Sequence, residues 1–340
     1  VLKNHYNRSN RMFSSFKSSV NLSRRHCLAA AASLAGAGAL GLSTAGNALA
    51  QAVKAAAGNK GTQLVLLGTK GGPRVGGERS NPASVLLIDG EPFVVDCAYG
   101  VAAQLVKAGI ALPRLSKVFI THMHSDHNLE YGPLLYSAWA AGLRNQVDVW
   151  GPPTLDAMTK AFMESMKFDI DIRIPDESKP DLRKMVNTHE FSKPGVILEN
   201  DKVKVTAVRN IHPPIADSFA LRFDTKDRSV VFSGDTTYCP AVAELAKGAD
   251  VLVHEVIYVP AVDAMVKRVP NAATLKEHLL ACHTTSVDVG RIAAAAGVKK
   301  LVLSHIVPGD DPSITDEMLL SDVRRHFKGD AVVGKDLMVI

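Results

Sequence analysis

The chain has 340 residues, of which 46% are hydrophobic, 21% charged and 6% aromatic. It is long enough to bury one large core or two smaller ones and reads as an ordinary globular protein. The formal charge of +5 suggests a nucleic-acid surface, but residues 1–50 hold six Lys/Arg and no acidic residue, so the remainder carries −1 and the electrostatic argument for such a surface falls away.

Those first fifty residues set themselves apart. Lys3, Arg8, Arg11, Lys17, Arg24 and Arg25 precede an Ala/Gly/Leu run that ends Asn47-Ala48-Leu49-Ala50. A basic region, a mildly apolar segment and a small-residue end form a secretory-signal pattern. The paired Arg24-Arg25 and the Gly-rich apolar run resemble a twin-arginine signal, which implies a bacterial protein exported folded to the periplasm or beyond. A stable membrane anchor is set aside, because the run is rich in Gly, Ser and Thr and barely long enough to span. The expected organisation is a cleaved segment 1–50, a spacer 51–62 and a domain 63–340. Beyond Cys27 only Cys97, Cys239 and Cys282 remain, an odd number with no C-x-x-C pair, which argues against a disulfide framework and leaves one bridge open.

From Gln63 to Leu67 a short apolar strand runs into the turn Gly68-Thr69-Lys70-Gly71-Gly72-Pro73. The turn lacks the G-K-[ST] ending of a phosphate loop and reads better as a bend toward a site between strands. Ser84–Ile88 and Pro92–Asp96 form a hairpin about Asp89-Gly90-Glu91. Asp96, at its end, serves equally well as a turn cap or as a group orienting a metal-bound histidine. A helix over Val101–Ala108 ends at Gly109. The strand Val118–Thr121 follows, then a helix over Leu134–Leu143 and a strand over Val147–Trp150. Thr154 caps a helix reaching about Met166. Residues 167–195 mix charge and proline and read as a surface insertion or a lid near the site. Strands return at Val203–Val208, Ala220–Phe223 and Arg228–Phe232. The helix Ala241–Lys247, the strand Val251–His254, the helix Val287–Ala296 and the strand Leu301–Ser304 complete the layout. Two similar halves, each a run of strands followed by strand–helix alternation, predict sheets covered by helices on the outside.

The chemistry concentrates at His122, His124, Asp126 and His127, four metal-competent side chains within six residues after an apolar, β-branched strand. Imidazole with carboxylate suits a borderline divalent ion such as zinc. A catalytic zinc takes three protein ligands and keeps a position for water, so four such groups divide more easily between two ions than crowd on one. Three further candidates also follow apolar strands: His212, Asp235 in Ser233-Gly234-Asp235-Thr236, and His305. The C-terminal ends of strands are where open sheets place their sites.

His122-x-His124-x-Asp126-His127, with His212, Gly234-Asp235-Thr236 and Ser304-His305, resembles the metallo-β-lactamase superfamily from about Gln63 to Ile340. Leu67-Gly68-Thr69, the long gap to His212 and Thr284-Thr285-Ser286 are most similar to its ribonuclease Z and arylsulfatase-like branch. The resemblance implies an α/β (α+β) four-layer αββα sandwich with two zinc ions at one edge, iron or manganese being alternatives. Spacing and resemblance together assign His122, His124 and His212 to one ion and Asp126, His127 and His305 to the other, with Asp235 and a hydroxide bridging both. Asp126 is thereby counted with the catalytic groups. The branch's pattern further places at His283 a proton donor to the leaving group, paired with Glu255; the alternative is a surface-loop histidine. His254 is expected to pack or orient, and His189, His278 and His326 to lie on the surface. Tyr258 and Ser286 are candidate pocket-lining residues.

These roles imply a hydrolase of small-molecule esters, with a phosphodiester or sulfate ester first and a β-lactam or lactone as the alternative. Nucleic acid is set aside, because an exported, near-neutral chain without a basic arm is a poor match for tRNA. Two other classes stay open, an iron oxidoreductase on the same fold and a non-catalytic metal- or ligand-binding protein. A homodimer is compatible with all of them.

Overall fold

The computed structural model describes residues 60–270 and 272–340. The signal segment 1–50 and all but three residues of the spacer lie outside this range. The first sheet has six strands in sequential order: β1 (Thr62–Gly68), β2 (Ala83–Ile88), β3 (Glu91–Val95), β4 (Lys117–Phe119), β5 (Val147–Gly151) and β6 (Val186–Glu190). The second has seven: β7 (Gly195–Glu199), β8 (Val203–Arg209), β9 (Phe219–Thr225), β10 (Ser229–Phe232), β11 (Val251–Ile257), β12 (Lys300–Val307) and β13 (Asp330–Val333). In each sheet antiparallel pairing gives way to a parallel set, β3 through β6 and β10 through β13.

The period-two pattern explains the layering. Leu64, Leu66, Leu86, Phe93, Val95 and Phe119 face inward and meet Val203, Val205, Phe219, Leu221, Phe223 and Phe232 of the other sheet. The residues between them in sequence face outward. Val65, Val85, Val94 and Val118 bury against helices α1 (Val101–Lys107), α3 (Tyr131–Ala140) and α4 (Leu155–Ser165), while Val231, Leu252, Leu301 and Leu303 bury against α6 (Pro240–Leu245), α9 (Ser286–Ala296) and α10 (Asp316–Val323). A strand buried on both faces reads as a near-continuous apolar run, and β2 and β11 are buried along their whole length, interrupted only by Ser84, His254 and Glu255. The result is the expected four-layer αββα sandwich. The turn between β2 and β3 holds Asp89 at φ 48 and Gly90 at φ 76, the left-handed pair a two-residue hairpin requires.

Three expectations change. Residues 167–195 are neither lid nor insertion: helix α5 (Lys167–Glu177) buries Ile170, and β6 pairs with β5 along its length as the sheet's edge. Only one face of an edge strand is covered, so Val-Asn-Thr-His-Glu carries no apolar run. Thr154 precedes α4 with φ 86 and makes no side-chain cap hydrogen bond. The strands β11 and β12 each extend about three residues further than expected, which carries Glu255 and His305 into them. Among the described residues no helix is long and apolar enough to cross a membrane, and Cys97, Cys239 and Cys282 are buried and unbridged.

Candidate metal centre

The parallel strands β3, β4, β10, β11 and β12 run the same way in their sheets, and their C-terminal ends gather the polar residues at one edge of the sandwich. After β4, the backbone carries His122 and His124, and a single helical turn α2 (Ser125–Asn128) swings Asp126 and His127 back. His212 comes from the loop between β8 and β9. Asp235 follows β10 through Gly234 at φ 57, where a Cβ would come 2.6 Å from the Phe219 carbonyl, so only glycine admits the turn. His305 sits at a β-bulge inside β12: Glu255 pairs with Ser304 and Val256 with Ile306, leaving His305 unpaired at φ 44. The extra residue turns the imidazole into the site instead of along the sheet face.

The residues fall into two groups whose ligand-capable atoms lie within 4.8 Å of one another. In the first, His124 Nδ1 is 3.2 Å from His122 Nε2 and 2.9 Å from His212 Nε2. In the second, His305 Nε2 lies 3.3 Å from Asp126 Oδ2 and 3.1 Å from Asp235 Oδ2, and His127 Nε2 is 3.3 Å from Asp235 Oδ1. Asp235 Oδ2 also reaches to 4.0 Å from His122 Nε2, so its carboxylate stands between the groups.

Outer contacts fix which ring nitrogen faces inward. His122 Nδ1 meets Thr121 Oγ1 at 3.1 Å, His127 Nδ1 meets Asp96 Oδ2 at 2.8 Å and His212 Nδ1 meets the Cys282 carbonyl at 3.1 Å. Asp96 also accepts from the Thr121 N–H at 2.8 Å, so it locks β3 to β4 and orients His127 at once. The tempting turn after β1 supports the bulge: Thr69 and Gly71 pair with Ile306, and a Cβ on Gly71 would lie 2.6 Å from His305 Nδ1.

Burial holds His122, His124 and His212 neutral, His212 at about 4, and neutral imidazole is the form that ligates. In the second group burial opposes charge, but Asp235 and its neighbours outweigh it and push His305 up to about 10 and His127 in the same direction. Among the described residues, buried His127 Nε2 and Asp235 Oδ1 have no hydrogen-bond partner. Orphaned atoms of a base and an acid facing each other, beside three neutral imidazoles, are what divalent ions need, so the donor set fits them.

Behind this edge, Glu255 Oε1 accepts from the Thr236 and Thr284 N–H groups at 3.1 and 2.9 Å, and Oε2 lies 3.3 Å from His283 Nδ1. The His283 ring is 5.7 Å from that of His212 and 5.5 Å from that of His305, beside both groups. Burial works against its charge, but Glu255 prevails and raises its pKa. Not all expectations fit the site. Ser286 bonds to Asp322 at 2.7 Å and Tyr258 packs on the α9 side of the second sheet, so neither lines the centre as described. Buried His254 directs Nδ1 to the Glu255 carbonyl. His278, expected on the surface, is half-buried with its ring 6.4 Å from that of His124. Its position four residues before Cys282, one turn away on the same helix, was the available signal.

The profile described as Anti-Pycsar protein Apyc1 matches residues 62–286. Ribonuclease Z of Mycobacterium marinum (strain ATCC BAA-535 / M) is 32% identical over 282 residues, covering 81% of this chain and 96% of that protein. The chain belongs to the ribonuclease Z-like branch of the metallo-β-lactamase superfamily. As a member of that branch it is a metal-dependent hydrolase. The fold agrees. The metallo-β-lactamase fold protein YhfI from Bacillus subtilis superimposes with TM-score 0.60 at 21% identity, covering 82% of this chain and 98% of that one. Human tRNase Z, short form, gives 0.59 at 20% identity with the same coverage.

Proposed function

We propose that this ribonuclease Z-like hydrolase is an exported, dinuclear-zinc phosphodiesterase acting on small esters. The observation that carries the reading is Asp235, whose carboxylate faces His127, His305 and His122 between two separate ligand groups. His122, His124 and His212 would hold one ion, Asp126, His127 and His305 the other, with Asp235 between. When bound, the ions polarise a substrate oxygen and activate water.

The chain's own residues do the rest. Asp96, Thr121 and the Cys282 carbonyl orient the ligating rings. Asp126 and Asp235 would supply two negative charges that offset part of the charge of the ions. Glu255, anchored by two backbone N–H groups, keeps the proton on His283, which is placed beside both groups to deliver it to the departing oxygen. A poor alkoxide leaving group is expelled only with such a proton, which favours esters over reactions without a leaving oxygen.

The name of the ribonuclease Z relatives brings an RNA phosphodiester back as the second reading, against the charge-based expectation that set nucleic acid aside. A sulfate ester or β-lactam would use the same groups. Export rests on the six basic residues and the Arg24-Arg25 run, and is tested by fractionating cells that express the full chain with and without R24K/R25K. For the chemistry, Asp235→Ala should remove most of the bound zinc and lower turnover of bis(p-nitrophenyl) phosphate by at least about 100-fold. Unchanged zinc stoichiometry with full activity would sink the bridging assignment. Elemental analysis of protein purified without added metal separates zinc from iron, and a short RNA tested alongside ranks the two phosphodiester readings.

A further inference from the structure

His212 lies in the loop between β8 and β9, and His283 follows helix α8 (Leu275–Cys282). Neither belongs to a strand, so each needs another hold. Both find it at residues 233–237, the turn that carries Asp235. Thr236 is buried and meets three neighbours at once. Its hydroxyl accepts from the Ile211 N–H at 3.1 Å and donates to the Thr237 carbonyl at 2.7 Å. Its N–H donates to Glu255 Oε1 at 3.1 Å, and its carbonyl accepts from the Thr284 hydroxyl at 2.6 Å. A threonine hydroxyl has one hydrogen and two lone pairs, so both hydroxyls make these contacts without conflict. Two more bonds run beside the first: the Thr237 N–H donates to the Ile211 carbonyl at 2.8 Å, and Asn210 Nδ2 to the Ser233 carbonyl at 2.7 Å. The residue before His212 is thus pinned to the residue after Asp235, and the residue after His283 to that same threonine.

We propose that Thr236 is a positioning residue that sets His212 and the proton-donating His283 in register with Asp235, its hydroxyl acting through Ile211 and its carbonyl through Thr284. For His283 the proposal rests on the hydrolase reading; for His212 it does not. One buried residue then fixes the place of the proton donor relative to the metal groups, so that the donor meets the departing oxygen of a substrate held there. Valine has nearly the shape of threonine, so packing alone gives no reason for a hydroxyl at this position.

The test compares Thr236→Val, which keeps the residue's own backbone bonds and removes the hydroxyl, with Thr236→Ser, which restores it. In the full chain Thr236→Val should weaken zinc binding about 10- to 100-fold, read by competition with a chromogenic chelator, and Thr236→Ser should recover most of the loss. Thr284→Val cuts only the tie to His283. It should leave zinc affinity near wild type and lower kcat about 10- to 100-fold for diphenyl phosphate, and less for bis(p-nitrophenyl) phosphate, whose better leaving group depends less on a delivered proton. Unchanged zinc affinity in a folded Thr236→Val protein would overturn the assignment, and a loss that Thr236→Ser fails to recover would do so too, by assigning it to packing. An equal effect of Thr284→Val on the two esters would overturn the hold on His283. Should Thr236→Val fail to fold, that leaving-group difference decides. Zinc affinity that depends on the Thr236 hydroxyl, in a protein that turns over no ester, would retain the hold on His212 and reject the hydrolase reading together with the role at His283.

Discussion

Asp96 shows how much of a site lies behind its ligands. Its carboxylate accepts from the Thr121 N–H and hydroxyl and meets His127 Nδ1, while its own backbone sits at φ 61. Asn tolerates this left-handed conformation, so Asp96→Asn should keep the turn and lose only the charge that holds His127. Metal affinity at the second group should fall about 10- to 100-fold, read by competition with a chromogenic chelator, with the circular dichroism spectrum unchanged. Equal affinity would mean that His127 is positioned by its backbone alone. Asp96 could be singled out in the sequence because it closes an apolar strand, but a turn cap and an orienting group look alike there. What decides between them is the β3–β4 register, Val95 opposite Phe119, which puts the carboxylate beside Thr121. The ligands were legible for the opposite reason. Packing does not call for four metal-competent groups in six residues, whereas His278 is set apart from a surface histidine by its approach to His124, far away in the chain.

At the level of elements, the bulge in β12 and the turn after β1 work as one unit. The bulge aims His305, and Gly71 leaves room for it. In sequence the turn already read as a bend toward a site between strands, whereas His305 looked like a residue beyond the strand's end. A bulge leaves no local mark when its residue is a histidine, and strand length was underestimated because Ser304 and His305 interrupt the apolar run. Gly71→Ala places a methyl 2.6 Å from His305 Nδ1 and 2.5 Å from Val307 Cγ2. Because Gly71 is not at positive φ, its backbone bonds survive the change, and the cost falls on the packed side chains of His305 and Val307. On the dinuclear-zinc reading the expected outcome is loss of one of the two ions by elemental analysis, while the metal-free protein stays folded but loses about 1–3 kcal/mol, the usual cost of a methyl forced against packed side chains, read as a lower melting temperature. Two ions retained at full affinity would show that the loop yields instead.

Across the whole molecule, the edge that holds the site has a counterpart at the opposite end of the sheets. The centre assembles residues of both sheets, so its geometry depends on their staying in register, and polar ties at the far end enforce this. Glu91, at the start of β3, bonds Lys117 of β4 at 3.1 Å and Lys202, just before β8 in the second sheet, at 2.8 Å. Thr62 of β1 bonds Asp227, between β9 and β10, at 2.9 Å. Burial alone would raise the Glu91 pKa, but the two lysines outweigh it and hold it at about 2, against 4.5 ordinarily. The folded-state value is depressed, so the unfolded chain binds the proton first as pH falls. The stabilisation is therefore fully present above about 4.5 and disappears as pH drops through about 2. Solvent screening around a partly exposed carboxylate limits it to about 1 kcal/mol. Glu91→Gln keeps the shape and an acceptor but not the charge. Urea unfolding of the metal-free protein at pH 7 should show this variant less stable by that amount, with the gap narrowing steadily as the pH is lowered below 4.5. A gap independent of pH would assign the loss to packing or to the lysines, and an absent gap would leave the two sheets held by their shared apolar layer alone.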